Sequence, residues 1–120
     1  MLDRLVHYPW LRARRQDTVF GGLGVVTFET RVAAAVAQSA DGRFVAALDG
    51  EFYETGPERE RLGAAGIAVA DADADLLIAG WRHEGDTFLA RLNGEFAAVI
   101  WDEQERALHV VTDRFGLRSL

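Results

Sequence analysis

At 120 residues, 49% hydrophobic and 27% charged, the chain has the make-up of one ordinary domain with room for a single core. A formal charge of -6 lacks the basic excess that nucleic acid demands, and no apolar run is long enough to span a bilayer, so neither partner is expected and the cytoplasm is the default location. With no cysteine, the chain holds no disulfide, no thiolate metal site and no cysteine nucleophile.

In chain order, Leu2, Leu5 and Val6 fall at helical spacing, and Pro9 limits that helix to one or two turns. Arg12, Arg14 and Arg15 form the only basic cluster, a solvated surface or a contact with a partner domain. Val19 to Thr30 is β-rich. Its glycines, Gly21, Gly22 and Gly24, are followed by no lysine to meet a phosphate and so are structural. Val32 to Ala37 and Phe44 to Leu48 flank Ser39-Ala40-Asp41-Gly42, a hairpin signal because Asp and Gly tolerate positive φ.

After Tyr53 the period changes. Thr55 with Glu58 reads as a capping box, Pro57 suits a first turn and Gly66 a stop, which predicts a helix over 56–65. Ile67 to Ala70 is a brief extended piece. Leu76, Leu77, Gly80 and Trp81 then recur at helical spacing from Asp73 to His83, with carboxylates at the front where they complement the helix dipole. A short helix starts at Asp86-Thr87 and is predicted to end at Asn93-Gly94. Phe96 to Trp101 is an unbroken apolar run suited to a strand covered on both faces, with Ala97 and Ala98 letting another layer come close. The polar reversal Asp102 to Arg106 turns it into Leu108 to Thr112, and Asp113-Arg114-Phe115-Gly116 follows at the strand end, where loops carry binding groups. Strands, helices, then a hairpin predict a layered α+β domain.

Familiar site patterns are weak. An EF-hand loop starting at Asp71 would need Gly and Glu where Leu76 and Arg82 stand. His7, His83 and His109 make no i, i+4 pair, and Ser39 and Ser119 lack the glycine-flanked turn that exposes a nucleophile. The aspartates at 71, 73 and 75 read on spacing alone as a charged helix start.

Three segments do carry a resemblance. Leu92 to Asp102 followed by Thr112 to Leu120, Asp73 to Leu77, and Leu48 to Tyr53 resemble, in family order, motifs of the glutamine-hydrolysing domain of asparagine synthetases, the class II glutamine amidotransferases. The likeness covers residues 42 to 120, while residues 1 to 41 share little of it. It implies a four-layer αββα sandwich of two antiparallel sheets, the N-terminal-nucleophile hydrolase fold. Residues 1–120 would then be part of that domain, cut at both ends. A barrel or a single exposed sheet would instead mark an unrelated binding module.

The resemblance also implies a chemistry. In the family an amino-terminal cysteine, with its own α-amine as base, attacks the side-chain amide of glutamine, and the ammonia passes to a synthetase domain. That synthetase (ATP-pyrophosphatase) domain is the implied partner, and ATP and Mg belong to it; no cofactor is expected in this chain. Carried over by motif, Gly50 keeps the backbone N–H of the oxyanion hole and Asp73 the carboxylate that pairs with the substrate ammonium. Asp49 stands where the family has the oxyanion-hole asparagine, and an ionised carboxylate would repel the developing oxyanion. The arginine expected near Val25 to Thr27 is missing, and Arg31 is out of register. Glutamine is therefore the expected ligand of a completed site, with the fragment unable to hydrolyse it alone. The alternative is a degenerate, non-catalytic scaffold that docks a synthetase-like partner.

Overall fold

The computed structural model describes residues 2–19, 21–28 and 35–118; Arg31 lies outside them. A 3-10 turn at Leu2–Leu5 leads into strands β1 (Leu11–Thr18) and β2 (Gly21–Phe28), paired antiparallel as a two-stranded sheet. The second sheet contains β3 (Val36–Gln38), β4 (Phe44–Tyr53), β5 (Asn93–Asp102) and β6 (Ala107–Thr112), antiparallel throughout in the order β3-β4-β5-β6. Helices α1 (Gly56–Ala64), α2 (Asp73–Glu84) and α3 (Asp86–Leu89) intervene between β4 and β5.

Side-chain alternation decides the layers. Phe44, Ala46, Leu48 and Phe52 on β4, with Phe96, Ala98 and Ile100 on β5, point to one face and join Leu62, Leu76, Leu77 and Phe88 of the helices in a single core. The opposite face looks toward β2: Gly24 and Val25 line a cleft of about 150 Å³ with Ala47, Asp49, Ala97 and Val99. The fold is thus α+β, with helices on one side of a four-stranded antiparallel sheet and a second antiparallel sheet on the other. Among the described residues these are three layers, α, β and β, of the expected four-layer sandwich, and two packed antiparallel sheets exclude a barrel or a lone sheet.

Gly80 couples α2 to α3. A Cβ at this position would lie 2.3 Å from the Phe88 ring, so the fully buried Phe88 seats directly on the α2 backbone. Gly80→Ala is expected to lower stability by about 1–3 kcal/mol through overpacking; an unchanged denaturant midpoint would show that Phe88 can step aside freely.

The polar strand β1 pairs along the full length of β2. Two expectations need correction. Thr55 precedes α1 but makes no side-chain cap; its Oγ1 accepts from Arg59 Nε at 3.3 Å, and Glu58 turns instead to Arg61 and Arg91, so the capping box is absent. Asn93-Gly94 does not stop α3. The reversal comes at residues 90–92, and both residues already belong to β5.

The β5–β6 turn is held by a buried carboxylate. Asp102 accepts from Arg43 Nε and Nη2 at 3.1 and 2.7 Å and from the backbone N–H groups of Gln104 and Glu105. The Arg43 pair, helped by those N–H donors, holds the carboxyl below its ordinary range despite burial. Because its folded pKa is depressed, Asp102 contributes its full stability above the unfolded carboxylate value of ~4, and loses it as pH falls through the lower folded value. Asp102→Asn should therefore destabilise at neutral pH and flatten acid unfolding below about pH 4; parallel acid-unfolding curves for variant and parent would contradict this.

Candidate functional site

The site gathers at the part of β4 that follows its pairing with β3. Among the described residues β3 pairs with residues 45–47, and beyond Ala47 the N–H groups on the edge of β4 facing away from β5 find other acceptors. Leu48 N–H donates to Ala35 O at 2.7 Å, and Phe52 N–H donates to Asp73 Oδ2 at 2.9 Å. In a strand alternate N–H groups share an edge, so Gly50 N–H, midway between these two, faces the same side. Asp73 reaches this edge because it opens α2, where a carboxylate also complements the helix dipole.

Gly50 is required by its backbone. Its φ is +114°, and a Cβ there would lie 2.0 Å from Glu95 O and 2.8 Å from Phe96 Cα. Gly94 has a matching role on β5: a Cβ there would lie 2.4 Å from Glu51 O. Each glycine stands opposite a phenylalanine, Gly50 against Phe96 and Gly94 against Phe52. The two rings meet edge to face, centroids 4.8 Å apart, and cover the glycines from the helix side.

Asp49 points the other way, into the cleft beneath β2, with Oδ2 3.5 Å from Arg118 Nη1. Arg118 Nε lies 2.9 Å from Glu95 Oε1 but off the N–H axis, an ion pair without an aligned hydrogen bond. Arg118 is delivered there by the buried carboxylate of Asp113, which accepts from the backbone N–H groups of Phe115, Leu117 and Arg118. Burial pushes the Asp113 carboxyl up, but these donors outweigh it and hold the group below its ordinary range.

Thus Gly50 and Asp73 come together at one strand edge, and Asp49 is adjacent but directed to the sheet face. Two residues that sequence reasoning missed complete the picture. Arg59 donates to Ala70 O and Asp71 O at 2.6 and 2.7 Å and sets its guanidinium 3.7 Å from Asp73 Oδ1, so it braces the segment that presents Asp73. Arg118 is the other. An arginine in α1 gives no local signal of a partner in the next helix; Arg118 was visible only as a residue of the terminal motif. Near the amino terminus Tyr8 and Trp10 stack on each other, exposed.

Comparison with known proteins gives the family. Residues 30–120 match the model of the glutamine amidotransferase domain family. An amidase of Penicillium rubens is 35% identical over 80 residues, 67% of this chain and 12% of the amidase. The glutamine-hydrolysing asparagine synthetase 1 of Bacillus subtilis is 34% identical over 74 residues, 61% of this chain and 12% of the synthetase. The chain spans about an eighth of the length of the curated relatives it matches. It belongs to the glutamine amidotransferase domain family.

Proposed function

We propose that this chain supplies the glutamine-recognising part of an amidotransferase that releases ammonia from the side-chain amide. Gly50 N–H donates to the oxygen that becomes negative in the tetrahedral intermediate, and Asp73 pairs with the α-ammonium. The observation that carries the reading is the bond from Phe52 N–H to Asp73 Oδ2 at 2.9 Å. It fixes the carboxylate about two strand residues, roughly 7 Å, from Gly50 N–H, close to the reach of an extended glutamine. Asp73 Oδ1, too far from Arg59 for a hydrogen bond, keeps acceptor capacity for the ammonium. The 120 residues contain no cysteine, so the attacking thiol would come from outside them. The partner in this reading is a synthetase (ATP-pyrophosphatase) domain that takes the ammonia, and ATP and Mg serve that domain.

A second reading has its own support. With Asp49 in place of an amide donor and already engaged by Arg118, the domain would be a silent scaffold against the same partner. Ammonia release from glutamine by the full-length protein separates the two: turnover supports the first, and neither turnover nor calorimetric binding of glutamine leaves only the scaffold. Under the first reading Asp49→Asn, which restores an N–H donor, should raise turnover about tenfold or more; a fall would give the acid a role of its own.

A further inference from the structure

We infer that Arg118 is a positioning residue for Asp49, an inference that rests on the amidotransferase reading. Asp49 and Gly50 are consecutive, so a carboxylate at residue 49 can swing toward the oxygen that Gly50 N–H must receive. Through-space repulsion of a developing oxyanion by such a charge would oppose the reaction. Arg118 draws Asp49 Oδ2 toward β5, where Glu95 holds the other side of the guanidinium. Gly50 N–H faces the opposite edge, the one on which Phe52 N–H meets Asp73. The pull therefore separates the negative charge from the donor within the plane of the sheet.

The placement of Arg118 is built into the fold. Asp113 gathers Phe115, Leu117 and Arg118 N–H groups at the end of β6, and Asp113 N–H itself donates to Phe96 O at 2.9 Å, directly across the sheet from Gly50. One turn thus registers Arg118 against the same stretch of β5 that Gly50 packs on. Glu51, on the same face and opposite Glu95, adds negative charge beside the pair. Set between Asp49 and Glu95, Arg118 is the cation that lets an acid stand at residue 49. The pair is not there for stability: Asp49 and Arg118 side chains are 43% and 37% exposed, where screening leaves an ion pair little net energy.

The test is steady-state ammonia release from glutamine by the full-length protein in five forms: parent, Arg118→Gln, Arg118→Lys, Asp49→Asn and the double variant Asp49→Asn with Arg118→Gln. Arg118→Gln should lower kcat about tenfold with KM within about twofold, the signature of a contribution made in the transition state. In the Asp49→Asn background the same change should have little effect, because no charge remains to be held away, and Arg118→Lys should recover most of the loss. Thermal melting of each variant checks the fold, and a lost kcat with retained melting reads as position. Equal kcat for parent and Arg118→Gln, or equal losses with Asp and Asn at residue 49, would overturn the role of Arg118 and leave the proposed function standing. A parent that releases no ammonia would overturn both.

Discussion

Gly50→Ala is expected to lower the stability of the domain by about 3–5 kcal/mol, a large share of the ~5–15 available to a fold of this kind. Two effects combine. At φ +114° an L side chain is strained. The added Cβ would also lie 2.0 Å from Glu95 O, and that atom is backbone in the paired strand and cannot rotate away as a side chain can. Relief requires β4 to separate from β5 or change register, and a one-residue slip would send Phe52 and Leu48 to the wrong face. Gly94→Ala, with a clash of 2.4 Å but no positive φ, should be milder. Denaturant unfolding of the two variants checks the order. A Gly50→Ala midpoint equal to the parent would mean that the strand is relaxed at residue 50, and the argument that glycine there is dictated by geometry would fall.

Asp73→Asn in the full-length protein should weaken glutamine binding about 10- to 150-fold, the loss of ~1.5–3 kcal/mol from one charge-assisted contact. Asparagine keeps an oxygen to accept from Phe52 N–H, so the strand edge and the start of α2 stay tied while the charge that meets the ammonium is gone. Asp73→Ala removes both and should add a stability loss, since Phe52 N–H is left without its acceptor. Calorimetry with glutamine, paired with melting, separates the two effects. Unchanged affinity in Asp73→Asn would take Asp73 out of the recognition site.

Arg59 explains why these two experiments differ in kind. It is positioned by Ala70 O and Asp71 O and supports Asp73 from behind, so the carboxylate depends on α1 as well as on α2. Gly50 depends on no side chain at all; its constraint is the distance between two backbones.

Local signals were legible in the sequence wherever the physics is local. The Asp-Gly turn before β4, the apolar run of β5, the 3.6-residue spacing of α2 and the reversal into β6 each follow from a few adjacent residues, and the structure has all four. The motif order pointed to the family, and with it to Asp49, Gly50 and Asp73. What depended on distant partners was not legible. The strand β1 is recruited by pairing with β2 despite its polar make-up, and Thr55 and Glu58 give up a capping box for Arg59 and Arg61, one turn further along α1, and for Arg91, which arrives from the reversal after α3. Whether Asp49 faces the donor edge or the cleft, and which cation meets it, was decided only when the turn at Asp113 brought residue 118 across β5 to residue 49. The sequence set which residues have acidic, basic or absent side chains; chain reversal, acting over a separation that no local pattern records, chose which of them touch.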